Sequence, residues 1–152
     1  DINNDSVVVG YSVASDGKIH PFVYDGRMID LGIFFGGDRG EAYSVNEKGE
    51  AVGYSNEAPA IKSGFLWLPE DAYGLRAGGI HKLTDIAAFP YGTQHTTAYA
   101  INDSGLIVGW YNVTGQPTRG FLLTPAGYVP PADAPPPLSG PAIRIPGRMR
   151  TP

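Results

Sequence analysis

The sequence predicts an all-β protein of three four-stranded antiparallel repeats, set as β-propeller-like blades or an open arc of blades. Three observations lead there. One motif is written three times: "DINNDSVVVGYS" at 1–12, "SVNEKGEAVGYS" at 44–55 and "AINDSGLIVGWY" at 100–111. Turn and strand formers are abundant, with Gly 21, Pro 14, Tyr 9 and Phe 6, a composition that favours short strands joined by many turns. The strand candidates also carry apolar side chains on both faces, as stacked sheets require: Val7, Val9 and Tyr11 oppose Val8, and Phe22 and Tyr24 oppose Val23.

Aligning the copies on Asn3, Asn46 and Asn102 brings Gly10, Gly53 and Gly109 into one column and Phe22, Phe65 and Phe121 into another. All three columns keep the same two offsets, which marks a true repeat with boundaries near 1–40, 41–95 and 96–129. Within a copy, "AYAIN" is a strand, "NDSG" a turn whose Asn, Asp and Gly supply positive φ, and "LIVGWY" a second strand. "GFLWL" at 64–68 is a third strand; "GIHKLTD" at 79–85 and "GRMIDLG" at 26–32 are fourth strands of their copies. The extra residues of the second interval fall mostly in "PEDAYGLRAGG", 69–79, read as a long exposed hairpin loop. The phenylalanine column is expected to be buried at equivalent positions. The glycine column is expected where a neighbouring backbone or a large ring comes close, with Tyr11, Tyr54 or Trp110 following as filler. One such sheet cannot bury its apolar surface alone and must pack on its neighbours. A β-trefoil or β-prism is the alternative for three copies in about this length.

The order "AxAINDxGxxVGxS", then "xAFLW", then "xMxDLG" resembles the HAF repeat, named for a His-Ala-Phe triplet, over residues 1 to about 129. His20, Pro21 and Phe22 stand at the triplet in the first copy, and Met28 to Gly32 form its last element; the third copy ends "GFLLTP" with no final "DLG". The resemblance implies a β-propeller-like fold in probable extracellular bacterial proteins, and it brings no catalytic residues. The start at Asp1, inside the first copy, is read as a processed, exported form, with a fragment of a longer protein as the alternative.

Net charge is −4, and its distribution is uneven: all 15 acids precede residue 134, whereas Arg144, Arg148 and Arg150 follow it. An acidic body repels phosphate backbones, so nucleic acid is not an expected partner. Cys is 0, which removes disulfides, thiolate metal sites and cysteine nucleophiles. No apolar run approaches the roughly 18 residues of a membrane span.

Positions with a shared task should keep their chemistry between copies. The triplet's His column reads His20, Ser63 and Arg119, which cannot share a metal or general-base role. His81 and His95 lie outside that column, and the three histidines are not expected to converge. Asn102, Asp103 and Ser104 superficially resemble a calcium loop, but the turn explains them; "GGDRGE" at 36–41 is a glycine-rich connector. No catalytic residue, metal or cofactor is expected. Among aromatics, Tyr73 and Tyr91 are the possible ligand contacts, since sugars stack on such rings, while Tyr99 and Trp110 lie in repeat strands and are expected to pack in the core.

The Pro-rich basic tail, 130–152, contains "AIRI", a strand-like alternation bracketed by Pro141 and Pro146. Ala142, Ile143, Arg144 and Ile145, with Arg148 and Arg150, are expected to dock in the strand vacancy of a first copy, by preference that of a neighbouring subunit. The expected function is therefore a non-catalytic extracellular structural or interaction protein that self-associates into a surface or filament assembly. The alternative is a lectin-like carbohydrate-binding module.

Overall fold

In a computed structural model, which describes residues 1–58, 60–130, 132 and 142–144, each repeat forms its own sheet. The first contains β1 (Val8–Val13), β2 (Ile19–Tyr24) and β3 (Met28–Asp30) in that order. The second contains β4 (Gly40–Val45), β5 (Ala51–Ala58), β6 (Ile61–Trp67) and β7 (Ile80–Lys82). The third runs β8 (Thr93–Ile101), β9 (Ile107–Val113), β10 (Arg119–Thr124) and β11 (Ala142–Arg144). All pairings are antiparallel except β10 with β11.

The repeat columns are the register. Gly10 pairs with Phe22, Gly53 with Phe65 and Gly109 with Phe121, so each phenylalanine lies opposite a residue without a side chain. The turn that starts at each Asn reverses through one left-handed residue, Gly49 at φ +76 and Gly105 at φ +75, with Ser6 taking that place at φ +64 in the first copy.

Two apolar layers hold the three sheets together. Val9, Val23 and Leu31 of the first repeat meet Ala42, Val45, Ala51, Phe65 and Trp67 of the second. Val52, Leu66, Leu68 and Leu83 of the second meet Ala98, Ile107, Tyr111, Phe121 and Leu123 of the third. The middle sheet is therefore covered on both faces, and β5 is buried from Ala51 to Asn56.

Two expectations need correction. "GIHKLTD" is a strand only over β7; Leu83–Ile86 forms one helical turn, α1. A strand would alternate Leu83 and Ile86 across the sheet, whereas the turn sets both on one side, where Leu83 is buried and Ile86 packs against the second layer. Within the chain, the tail strand does not fill the first copy's vacancy, where Ile2 bridges Val8 and the Val9 N–H donates to the Asp1 carbonyl at 3.0 Å. Instead β11 pairs in parallel with β10 of its own chain, Leu122 opposite Ala142, Leu123 opposite Ile143 and Thr124 opposite Arg144. That edge is where the third copy lacks its own fourth strand, and residues 125–141 exceed the roughly dozen needed for a parallel crossover. Ile145, Arg148 and Arg150 lie outside the described residues.

Candidate functional site

The three asparagine turns lie at one end of the stack and are tied to one another. Each side-chain carbonyl closes its own turn: Asn3 Oδ1 accepts from Val7 N–H at 2.9 Å, Asn46 Oδ1 from Lys48 and Glu50, and Asn102 Oδ1 from Ser104 and Leu106. The amide end crosses to the next copy. Asn3 Nδ2 donates to the Asn46 carbonyl at 2.9 Å, and Asn46 Nδ2 to the Asn102 carbonyl at 3.0 Å. The sequence separations are 43 and 56, the offsets of the repeat itself. A second rung runs beside the first: the Asn4 N–H donates to Glu47 Oε1 at 3.3 Å and the Glu47 N–H to Asp103 Oδ1 at 2.9 Å. Sequence reasoning took these asparagines for turn formers only. The column that aligns the copies also carries this second task, because Asn is a short side chain whose carbonyl can serve its own turn while its separate amide donates to the neighbour's.

Among the described residues, the stack has two faces that no sheet covers. On the face of the first sheet that points away from the second stand Val8, Phe22 and Tyr24, in the columns of Ala51, Phe65 and Trp67 and of Ile107, Phe121 and Leu123, all of which are buried. On the far face of the third sheet stand Val108 and Leu122, in the columns of the buried pairs Val9 and Val23, and Val52 and Leu66. Tyr24 is 42% exposed and Val108 43%, while Phe22 and Leu122 are half-buried. The expectation that Phe22 is buried like Phe65 and Phe121 is therefore corrected. Its ring lies over Gly10, at 3.1 Å from where a Cβ would stand, but among the described residues no sheet covers its other side.

A polar aromatic cluster surrounds Glu41. Its carboxylate accepts from Arg39 Nε, from the Tyr43 hydroxyl at 2.8 Å and from the Tyr54 hydroxyl at 3.0 Å. Tyr43 stacks on Tyr99 with centroids 5.6 Å apart, and Trp110 Nε1–H donates to the Tyr99 hydroxyl at 3.0 Å. The Lys62 ammonium lies 4.3 Å from the Tyr54 ring centroid, and the Arg39 guanidinium 5.6 Å from that of Tyr11. Tyr43 and Tyr99 occupy one repeat column, each at a register slip, between Ala42 and Ser44 and between Ala98 and Ala100. The bulge turns both rings out of the alternation. Tyr99 is thus half-exposed rather than in the core, and its partner Trp110 is half-buried.

Burial alone would raise the Glu41 carboxyl, but hydrogen bonds from Tyr43, Arg39 and Tyr54, with the guanidinium charge, outweigh it and hold its pKa below the ordinary value. Burial and then Glu41 push the Tyr43 and Tyr54 phenols up. For a carboxyl depressed in the folded state, the stability it contributes is present above the unfolded value of about 4.3 and is lost as pH falls through the folded one. Acid titration of the unfolding free energy should show this loss as a limb below about pH 4.3. Glu41→Gln should flatten that limb and cost about 2 kcal/mol at neutral pH.

The histidines stand on three different sheets. His20 Nδ1 lies 2.9 Å from Asp30 Oδ1, His81 Nε2 lies 2.6 Å from the Arg76 carbonyl, and His95 Nδ1 accepts from the Lys62 N–H at 3.3 Å. Tyr73, expected in an exposed loop, packs against the second apolar layer at φ +53, its hydroxyl against Gly105; burial and then Glu50 push its phenol up. Tyr91 is fully exposed and stands apart from the Glu41 cluster in the loop before β8. A groove of about 500 Å³ lies between Phe34 and Phe35 and the β7–α1 segment, with the Glu57 carboxylate 2.5 Å from Lys82 Nζ. Among the described residues no group of three His, Asp or Glu is placed to hold a metal ion, and no helix is long and apolar enough to cross a membrane. No protein family, curated protein or solved structure matches the chain. What the chain does must be read from its surfaces, and the two open sheet faces are the part of the surface whose chemistry is that of the interior.

Proposed function

We propose that the protein is a non-catalytic structural or interaction module that associates with other copies of itself and works outside the cell. The observation that carries this reading is the pair of uncovered end faces, where Tyr24 and Val108 stand exposed in columns whose other members are buried. Exposed apolar patches of this kind mark contact surfaces on soluble proteins. Association is assigned to the faces and not to the tail, because β11 pairs within its own chain. The exported location rests on the likeness of the repeat motif to the HAF family alone. Sedimentation equilibrium over a concentration series should give a mass that rises above the 16.1 kDa of one chain. A single-chain mass at every concentration removes the proposal.

The lectin-like alternative draws on the half-exposed Tyr99 ring and on the exposed Tyr11 ring, which lies beside Arg39. It stands second because Glu41, Tyr43 and Tyr54 already satisfy one another, which leaves few free groups for sugar hydroxyls. A glycan array decides it: binding that is lost in Tyr99→Ala supports the alternative, and a blank array ends it.

A further inference from the structure

We infer that association is head to tail, the third sheet of one copy stacking on the first sheet of the next, and that two copies close six sheets into one ring. This rests on the self-association proposed above and names its partner surfaces. The two open faces are unlike each other. One carries the phenylalanine column, the side that Phe65 and Phe121 turn toward the preceding sheet; the other carries the Val108 and Leu122 columns, the side that Val9, Val23, Val52 and Leu66 turn toward the following sheet. They are the two halves of a junction that the chain already makes twice. A face with half a junction is complementary to the other half and not to itself, which makes the contact heterologous.

The asparagine ladder has the same polarity. It donates from the first copy to the second and from the second to the third, so it ends in a donor, Asn102 Nδ2, which makes no hydrogen bond among the described residues. It begins at an acceptor: the Asn3 carbonyl receives the Ser6 N–H, whereas the Asn46 and Asn102 carbonyls each receive their turn N–H and the preceding amide as well. Stacking a second copy in the same register brings Asn102 Nδ2 to that carbonyl. The second rung continues likewise, with the Asp103 N–H meeting the side chain of Asn4, the column mate of Glu47 and Asp103. Val108 and Leu122 then cover Val8, Phe22 and Tyr24, as their column mates do inside the chain.

Closure follows from the number of sheets. Propellers close with roughly four to eight blades. Each chain supplies three sheets, and the multiple of three in that range is six. Two head-to-tail joints related by a twofold axis close such a ring and leave no open face.

The test uses the full chain and two variants, each blocking one face at an exposed position: Tyr24→Arg on the first sheet and Val108→Arg on the third. Circular dichroism and thermal unfolding of each should match the parent, confirming that only the surface has changed. The parent should reach a plateau at twice 16.1 kDa. Each variant alone should be monomeric, its apparent dissociation constant raised about 100-fold or more. An equimolar mixture should recover a two-chain species, because the intact third sheet of Tyr24→Arg meets the intact first sheet of Val108→Arg. A parent that stays monomeric defeats self-association altogether. The remaining adverse results leave self-association standing and overturn only this inference: growth past two chains without a plateau rules out the closed ring, dimers from one variant alone show a face pairing with itself, and dimers from both variants alone place the contact elsewhere.

Discussion

Phe65→Ala should destabilise the protein by about 3–5 kcal/mol and Phe121→Ala by a similar amount, while Phe22→Ala, in the same repeat column, should cost about 1 kcal/mol in the monomer. The three substitutions delete the same atoms. What differs is what surrounds them. Phe65 and Phe121 are buried between sheets, so truncation removes their transfer energy and leaves a cavity that two packed layers cannot close. Phe22 is only half-buried, with one side against Gly10 and no sheet of the described residues over the other, so water takes the vacated space at little further cost. Denaturant unfolding at concentrations where the chain is monomeric measures the gradient. Equal losses at all three positions would mean that the first sheet is covered in the free chain. At concentrations where copies associate, Phe22→Ala should instead show itself as weaker association, since the joint proposed between copies buries that ring.

The repeat was legible in the sequence because its columns carry residues with narrow tasks. A glycine opposite a phenylalanine and an asparagine at a turn recur at fixed offsets, and the structure uses each column as a register mark. The core of the middle sheet was legible for the same reason, since the alternation of Val52, Gly53 and Tyr54 leaves neither face polar. Other features depend on quantities that local pattern does not carry. A bulge adds one residue without changing composition, so nothing at Tyr43 or Tyr99 announces that the ring leaves the core. Leu83 and Ile86 share one face of a helical turn, yet their segment reads equally well as a strand of alternating character. The pairing of β11 joins residues separated by a long connection, and its direction is set by which sheet edge is vacant rather than by its own residues. The half-burial of Phe22 is a property of the sheet that does or does not lie over it. The polar cluster at Glu41 depends on that same bulge, because Tyr43 reaches the carboxylate only from a bulged position.

The bulges also sort the glycine column, and this leads to the second large effect expected. Gly53→Ala and Gly109→Ala should each cost about 3 kcal/mol or more, whereas Gly10→Ala should cost less than about 1 kcal/mol. None of the three has a left-handed φ, so backbone freedom is not the reason for glycine there. Space is. A Cβ at Gly53 would lie 1.9 Å from the Glu41 carbonyl oxygen, and one at Gly109 would lie 2.0 Å from that of Thr97. Glu41 and Thr97 share a repeat column, each two residues before a bulged tyrosine, and the crowding stands beside the register slip in both sheets. The obstructing atoms belong to a backbone already committed to strand pairing, so they cannot swing away as a side-chain tip would. Relief requires separating β4 from β5, or β8 from β9, and each separation opens an apolar layer as well as a ladder of hydrogen bonds. At Gly10 the nearest obstacle is the edge of the Phe22 ring at 3.1 Å, a half-buried side chain rather than backbone, which has only to give by a few tenths of an ångström. Denaturant midpoints of the three alanine variants, measured on the monomer, decide the matter. If Gly53→Ala proved as mild as Gly10→Ala, bulge crowding would not be what holds glycine in this column, and the shared register of the second and third sheets would need another cause.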